Sequence, residues 1–354
     1  MDLTPKQLLS ILLFAAAGFC LFLLLLNRRL ILIRDSRLKK PVILAFLMVL
    51  TGGAAIFGFL FHEPPWLCLP LGFFGVIAAG EVRRALIRRR TAGSLPVDSP
   101  RHPVRVSQPV TTTDLAVHRY SLTIPGWQGP PFRVVHLTDL HVNRSLPFEF
   151  YEEVFAIADG TRPDLAFFTG DFVSKKSGLP TLAKLLRPVE KGDNFAVLGN
   201  HDYWTDPRGV AATVEKSGLT LLKNGSATIE IGGTPVRISG YEYPWGTKKK
   251  NVEPAPPGVL HLVLTHTPDN IYRISRSGAH CVFSGHNHAG QVRLPLLGPI
   301  VVPSIYGRRF DHGHFVIKGT HLFVSSGIGA GDPEFRLYCR PDILVVDISG
   351  KAAD

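Results

Sequence analysis

The stretch SGHNHAGQ (284–291) sets two histidines two residues apart, bracketed by glycines, directly after the apolar run HCVF. Imidazoles crowd together at a cost unless something binds them. Four other apolar runs end in residues of the same chemical kind. RVVHLT ends at Asp139-Leu-His141, DLAFFT at Gly170-Asp171, NFAVLG at Asn200-His201-Asp202, and HLVLT at His266. Buried strands of an α/β sheet read as near-continuous apolar runs, and ligand sites gather beyond their carboxyl ends. The five runs therefore bring their polar residues to one edge of one sheet.

A single histidine after a strand is usually a satisfied rim residue, and a single GD or GN is usually a turn. Five such coincidences at five strand ends are not explained that way. The set is Asp139, His141, Asp171, Asn200, His266, His286 and His288, with N and O donors and no thiolate. Such a mixture suits Mn, Fe or Zn, and is too nitrogen-rich for Mg or Ca. Seven donors are too many for one ion but suit two divalent ions sharing a bridging carboxylate. Two ions roughly 3.5–4 Å apart can hold a hydroxide between them and clamp a phosphoryl group for in-line attack.

In that order, D-x-H, G-D, G-N-H-D, H and G-H-x-H resemble the calcineurin-like metallophosphoesterase superfamily, over about residues 130–350. GHNHAGQVRLPLLGPIVVP, followed by VSSGIG, resembles a narrower bacterial branch of membrane-associated phosphoesterases. Some members of that branch hydrolyse UDP-2,3-diacylglucosamine in lipid A synthesis. The resemblance implies a four-layer α/β/β/α sandwich, an α/β fold with the dinuclear site at one edge of its sheets. Carried over by position, one ion would take Asp139, His141 and His288. The other would take Asn200, His266 and His286, with Asp171 bridging both. His201 would be no ligand but would stabilise developing charge or protonate the leaving oxygen, with Asp202 orienting or charging it. Protein phosphatases of the superfamily carry G-D-x-x-D-R-G, whereas this chain reads GDFVSKK. Ser174 replaces the second aspartate and no arginine follows, which argues against a protein serine/threonine phosphatase.

The elements that position these residues follow from the texture of residues 116–354. Short β-branched runs alternate with helical stretches at 148–159 and 179–190, the pattern of a layered α/β domain. SATIEIGGTPVRISGYEY reads as a hairpin turning at Gly232-Gly233, and HLFVSS and ILVVDI as later strands. His136, in mid-strand, reads as a core residue, and His118, His261, His280 and His321 carry no motif. DHGH (311–314) has ligand-like spacing but reads as part of a hairpin after GRR.

Ahead of this domain, LLSILLFAAAGFCLFLLLL (8–26) and PVILAFLMVLTGGAAIFGFLF (41–61) are each long enough to cross a hydrocarbon core as a helix. A third run, WLCLPLGFFGVIAAG (66–80), extends to Ile87 if Glu81 and the arginines snorkel. The first run is too long for a signal-peptide core and lacks an A-x-A site. Residues 1–90 thus read as a membrane anchor of two or three transmembrane helices, and the Pro/Ser/Thr-rich stretch 91–115 as a linker. The loop 27–40 carries Arg28, Arg29, Arg34, Arg37, Lys39 and Lys40, and RRALIRRR (83–90) adds five arginines, whereas HEPP (62–65) has neither Lys nor Arg. With three spans, this bias puts the catalytic domain on the cytoplasmic side of the inner membrane. The four cysteines form no spaced framework, in keeping with a reducing compartment.

Residues 1–115 hold 14 Lys/Arg against 6 Asp/Glu, and residues 116–354 hold 25 against 22. The basic excess belongs to the anchor, so no nucleic-acid partner is expected; a patch such as TKKK (247–250) reads as a solvated loop. After the site histidines runs GQVRLPLLGPIVVPSIYG (290–307), apolar and broken by prolines. Leu294, Leu296, Leu297 and Ile300 would meet acyl chains there, and Arg293 a phosphate, with YEYPWG (241–246) as the opposite wall. The expected activity is hydrolysis of a phosphoester or pyrophosphate bond in a lipid-linked substrate. The alternatives are a phosphodiesterase acting on phospholipids or nucleotides, and a catalytically silent metal-binding scaffold.

Overall fold

Among the described residues the chain forms fourteen strands, with helices between many of them. The computed structural model describes residues 3–30, 33, 36–99, 104–143, 145–248, 251–295 and 297–350. They fall into two units: residues 1–90 with 303–309, and residues 91–302 with 310–354.

In the first unit, three helices, Pro5–Leu30, Lys39–Leu60 and Pro64–Thr91, are long and apolar enough to cross a membrane. The third apolar run is thus part of one continuous helix, which passes through Pro70. Thr4 caps the first helix, exchanging hydrogen bonds with Gln7. Small residues let the first two helices approach closely. Gly18 lies against the Leu50 carbonyl and Ala54, and Gly58 against the backbone of Ser10. The Ser10 hydroxyl donates to the Phe61 carbonyl at 3.3 Å. Close backbone contact and a satisfied hydroxyl thus join the first two helices. Glu81 does not simply snorkel: it pairs with Arg84 at 2.7 Å and with Arg308 at 2.5 Å.

The second unit holds two six-stranded sheets. The first has the order β1-β14-β2-β3-β4-β5, from Ala116–Thr123, Asp342–Ser349, Phe132–Leu137, Leu165–Thr169, Asp193–Val197 and Thr220–Leu221. The second has the order β12-β13-β9-β8-β7-β6, from Gly313–Ile317, Thr320–Val324, Cys281–Ser284, Leu260–Leu264, Thr234–Gly240 and Ser226–Ile231. Their facing sides close over a shared core that includes Val134, Phe167, Phe195, Ile238, Leu262, Phe283 and Val346. A second core joins the first sheet to the helices Phe148–Gly160, Leu179–Leu185 and Pro207–Lys216, through residues such as Val135, Phe155, Phe168, Leu182 and Val210. The short helical run 268–277, with Ile271 and Ile274 buried, follows β8 of the second sheet. This is the four-layer α/β/β/α sandwich.

The five apolar runs that end in site residues are β2, β3, β4, β8 and β9, and all five are parallel within their sheets where they neighbour one another. They divide between the two sheets, so the site lies across the ends of both rather than beyond one. The helix expected over 179–190 stops at Leu185. Leu186 is extended, and Pro188 cannot continue a helix and restricts the residue before it. The hairpin at Gly232-Gly233 forms as read, with both glycines at positive φ (57° and 78°), the geometry of a tight two-residue turn. His136 is fully buried, with Nε2 2.8 Å from the Thr169 hydroxyl. Residues 91–99 and 104–115 run along this unit, with Ala92 bridging Phe315, Asp98 bridging Arg119, and Val110 bridging Leu337.

Candidate metal centre

Three of the five strands, β2, β3 and β9, end in abrupt turns. Asp139, His141, Asp171, His286 and His288 all have positive φ, between 46° and 67°. Non-glycine residues rarely adopt that conformation, and where they do the strain is held by the surrounding structure, often at a functional site. Gly199 and Gly285 sit so close to the Asp171 and Asp139 carboxylates that a side chain at either position would collide with them. The glycines of the GN and GH motifs are therefore needed for close packing of the loops.

The turns bring two donor groups together: Asp139, His141 and His288, and Asp171, His266 and His286. In the first, Asp139 Oδ1 is 3.3 Å from His288 Nε2 and 3.7 Å from His141 Nε2, and the two ring nitrogens are 3.1 Å apart. In the second, His266 Nε2 is 3.1 Å from His286 Nδ1 and 3.0 Å from Asn200 Oδ1. Asp171 Oδ2 joins the two, 3.1 Å from His266 Nε2 and 3.5 Å from His141 Nε2. All seven residues named from the sequence are here.

The remote atoms of these side chains are held by the protein. His266 donates its Nδ1 proton to the Thr169 carbonyl at 2.7 Å, which points Nε2 toward the other donors. His141 Nδ1 is 3.0 Å from the Ser174 hydroxyl, so the serine in place of the phosphatase aspartate orients this ring. Asp139 Oδ2 accepts from the Thr138 hydroxyl and the His286 amide, and Asp171 Oδ1 accepts from the His201 amide. Burial holds His141 down to about 3 and His288 well below the usual range, so both rings are neutral, the ligating form. For His266, burial is outweighed by the Asp171 and Asp139 carboxylates, which raise it to about 9.

One atom tests whether cations fit. Asp139 Oδ1 is buried and has no hydrogen-bond partner, an arrangement that costs a few kcal/mol in an apolar interior. It faces two imidazole nitrogens in a site with Asn and carboxylate oxygens and no sulfur. That donor set fits divalent metal ions.

His201 is half-buried, with its ring 4.8 Å from His141 and 5.2 Å from Trp204, and it offers a ring nitrogen within 4.8 Å of ligand atoms of His141 and Asp171. Asp202 does not serve it. The fully buried Asp202 carboxylate accepts from the amides of Asp171 (2.8 Å), Phe172 (2.9 Å), Val173 (3.3 Å) and Gly199 (2.9 Å). It pins the GD loop to the GN loop, and no hydrogen bond joins it to the His201 ring among the described residues. The role expected for Asp202 toward His201 is therefore replaced by a structural one. Arg293 likewise turns to the protein, donating to the Ala289 carbonyl at 2.7 Å and pairing with Asp311 at 3.0 Å. Of the expected apolar wall, Leu294 and Leu297 are exposed, Ile300 is half-buried, and Leu296 lies outside the described residues. From YEYPWG, Trp245 reaches the centre, 5.8 Å from His266 and 5.3 Å from His286.

Two supporting residues carried no signal in the sequence. Arg336 is fully buried and donates to the carbonyls of Ser326, Gly327 and Gly329, with Nη2 3.3 Å from His288 Nδ1. Glu242 accepts from the Leu198 amide at 2.7 Å and the Tyr203 hydroxyl at 2.5 Å, fixing the loop that carries Asn200 and His201 from its other side.

Residues 132–290 match the family described as Calcineurin-like phosphoesterase. Members of that family use divalent metal ions, and the match together with the relatives below supports a phosphoester hydrolase. It is 27% identical over 297 residues to the uncharacterized metallophosphoesterase YkuE of Bacillus subtilis, covering 77% of this chain and 94% of the relative. It is 27% identical over 227 residues to the phosphodiesterase YaeI of Escherichia coli, covering 62% and 82%. With the UDP-2,3-diacylglucosamine pyrophosphatase LpxG of Chlamydia trachomatis it shares 28% identity over 278 residues, covering 60% and 82%.

Proposed function

We propose that this chain is a membrane-anchored phosphoesterase with two divalent ions, manganese first among the choices, acting on a phosphoester or pyrophosphate bond of a lipid-linked substrate. The observation that carries the dinuclear reading is the position of Asp171 Oδ2, within 3.5 Å of histidine nitrogens from both donor groups. Asp139, His141, His288 and Asp171 would hold one ion, and Asn200, His266, His286 and Asp171 the other. When bound, such ions polarise a phosphoryl group and make water a strong nucleophile near neutral pH.

The chain's own part in the reaction is positioning and proton transfer. The Asp171 carboxylate, through the His201 amide, fixes the backbone of the residue that would give a ring proton to the leaving oxygen. Water attacks phosphorus in line with that oxygen, so the bond to the leaving group breaks as its new O–H bond forms. Trp204 and Trp245 would border the substrate with aromatic faces.

The lipid-linked substrate is supported by the three apolar helices and by similarity to LpxG, which is named for UDP-2,3-diacylglucosamine. Exposed Leu294 and Leu297 offer apolar surface on the segment that follows the GHNH motif. The arginines and lysines flanking the helices favour a cytoplasmic catalytic domain at the inner membrane. The test compares UDP-2,3-diacylglucosamine with its deacylated form in detergent micelles. A much higher kcat/KM for the acylated form is expected, and equal values would defeat the lipid reading while leaving the metal chemistry intact.

A further inference from the structure

A second meeting of histidine and carboxylate side chains lies in the catalytic unit, apart from the seven residues above. His118 is on β1, Asp342 opens β14, and His312 stands one residue before β12. Each offers one ligand atom, and these atoms all lie within 4.8 Å of one another. Asp342 Oδ2 is 2.6 Å from His312 Nε2 and 3.9 Å from His118 Nε2.

The atoms on the far side are already engaged. Asp342 Oδ1 accepts from the Ser325 hydroxyl at 2.5 Å and the Ser326 amide at 3.0 Å. His118 Nδ1 is 2.8 Å from the Ser99 hydroxyl. Fixing the remote atom of each ligand is how proteins aim imidazole and carboxylate groups at a shared ion. Asp342 is 1% exposed, but the side chains of His118 and His312 are 19% and 28% exposed, so the group opens to solvent on one side.

A His312–Asp342 ion pair would explain the shorter contact by itself. It leaves unexplained why a second imidazole faces the same oxygen, with its ring 5.5 Å from that of His312. Two protonated rings at that separation would repel, and burial disfavours the charged form of His118. Two neutral rings and one carboxylate around a cation have no such conflict.

We propose that His118, His312 and Asp342 form a third metal site, separate from the catalytic pair, for a divalent transition ion of the zinc type. Two nitrogens and one oxygen leave a fourth, solvent-facing position, as tetrahedral zinc accepts. The ion would tie β1 and β14 of the first sheet to the start of β12 in the second. It would also brace the catalytic centre from behind. Ser325 and Ser326, held by Asp342, open a turn in which the amides of Ile328 and Gly329 donate to the carbonyls of Thr138 and Asp139, at 3.0 and 2.7 Å. Its effect would be on stability rather than on the reaction.

The experiment uses the full chain in detergent, stripped with chelator, reloaded with Zn2+ and desalted before the metal is counted. Wild type is expected to keep three equivalents. His118→Ala and His312→Ala should each keep two with phosphoesterase turnover unchanged, and Asp171→Asn should keep one. Reloading Asp171→Asn with Co2+ should give the visible absorption of four-coordinate cobalt, and adding His118→Gln, a milder change, should abolish it. Two equivalents in folded wild type would reduce the group to an ordinary ion pair and overturn the proposal. Retention of the third equivalent in both histidine variants would overturn it equally. Loss of the catalytic pair alone would appear in Asp171→Asn, so the two readings fail separately.

Discussion

Asp139 Oδ1 lies 3.3 Å from Nε2 of His288, buried and with no hydrogen-bond donor to meet it. Asp139 Oδ2 has two donors, and the His288 carbonyl accepts from the Gln291 amide at 2.7 Å. A protein that completes so many nearby hydrogen bonds and leaves one carboxylate oxygen facing an imidazole nitrogen has arranged them for a cation.

Asp202→Asn should cost stability before it costs chemistry. The carboxylate accepts four backbone amides, and asparagine offers one oxygen and an NH2 group that faces donors. Each buried amide left without its acceptor costs about 1–3 kcal/mol. Denaturant unfolding of the detergent-solubilised chain should show a loss of about 3 kcal/mol or more. An unchanged midpoint with an altered pH–rate profile would return Asp202 to a role on His201.

His201→Ala should lower turnover by about two to four orders of magnitude, the usual contribution of a positioned acid or charge donor. The His201 amide donates to the Asp171 carboxylate and would remain in the alanine variant, so the metal content is expected to stay near the wild-type value. A variant isolated without metal would make the ring a ligand instead.

His136 predicts a stability trend with pH. Burial pushes this histidine from 6.5 down to about 3. Between those values the unfolded chain takes up a proton that the folded chain refuses. Its contribution is therefore complete above pH 6.5 and is lost as the pH falls, by at most about 1.4 kcal/mol per unit. In chelator-treated protein, His136→Gln should flatten the acid limb of the stability curve. An identical slope in the variant would contradict this.

That the seven candidate donors gather at one place was legible in the sequence because each lies close behind a buried strand. Sheet geometry then gathers strand ends whatever their separation along the chain. His141 and His288 meet across 147 positions for that reason. Two-sheet division of the five strands was not legible, since apolar runs of β2 and β8 look alike. The true partner of Asp202 was hidden because a carboxylate two residues past an asparagine ligand looks like chemistry, whereas its acceptors' partners are backbone amides with no sequence signature. Arg336 sits in EFRLYCR, where nothing marks it as buried, and only the fold brings it to His288. The spacing of DHGH suggested a shared strand face, yet His312 turns to Asp342 and His314 to His321 at 3.0 Å. One residue outside the strand was enough to separate them.

The most direct test of the dinuclear centre is the metal content of Asp171→Asn against wild type, both purified as the full chain and reloaded under identical conditions. Asp171 Oδ2 faces histidines of both donor groups, at 3.1 and 3.5 Å. Ligand-orienting partners alone are worth about 10–100-fold in affinity or activity, and a shared ligand should be worth more. The account predicts that the variant loses two equivalents together and falls at least about a hundredfold in phosphoesterase activity. Loss of one equivalent or none, with activity retained, would contradict it.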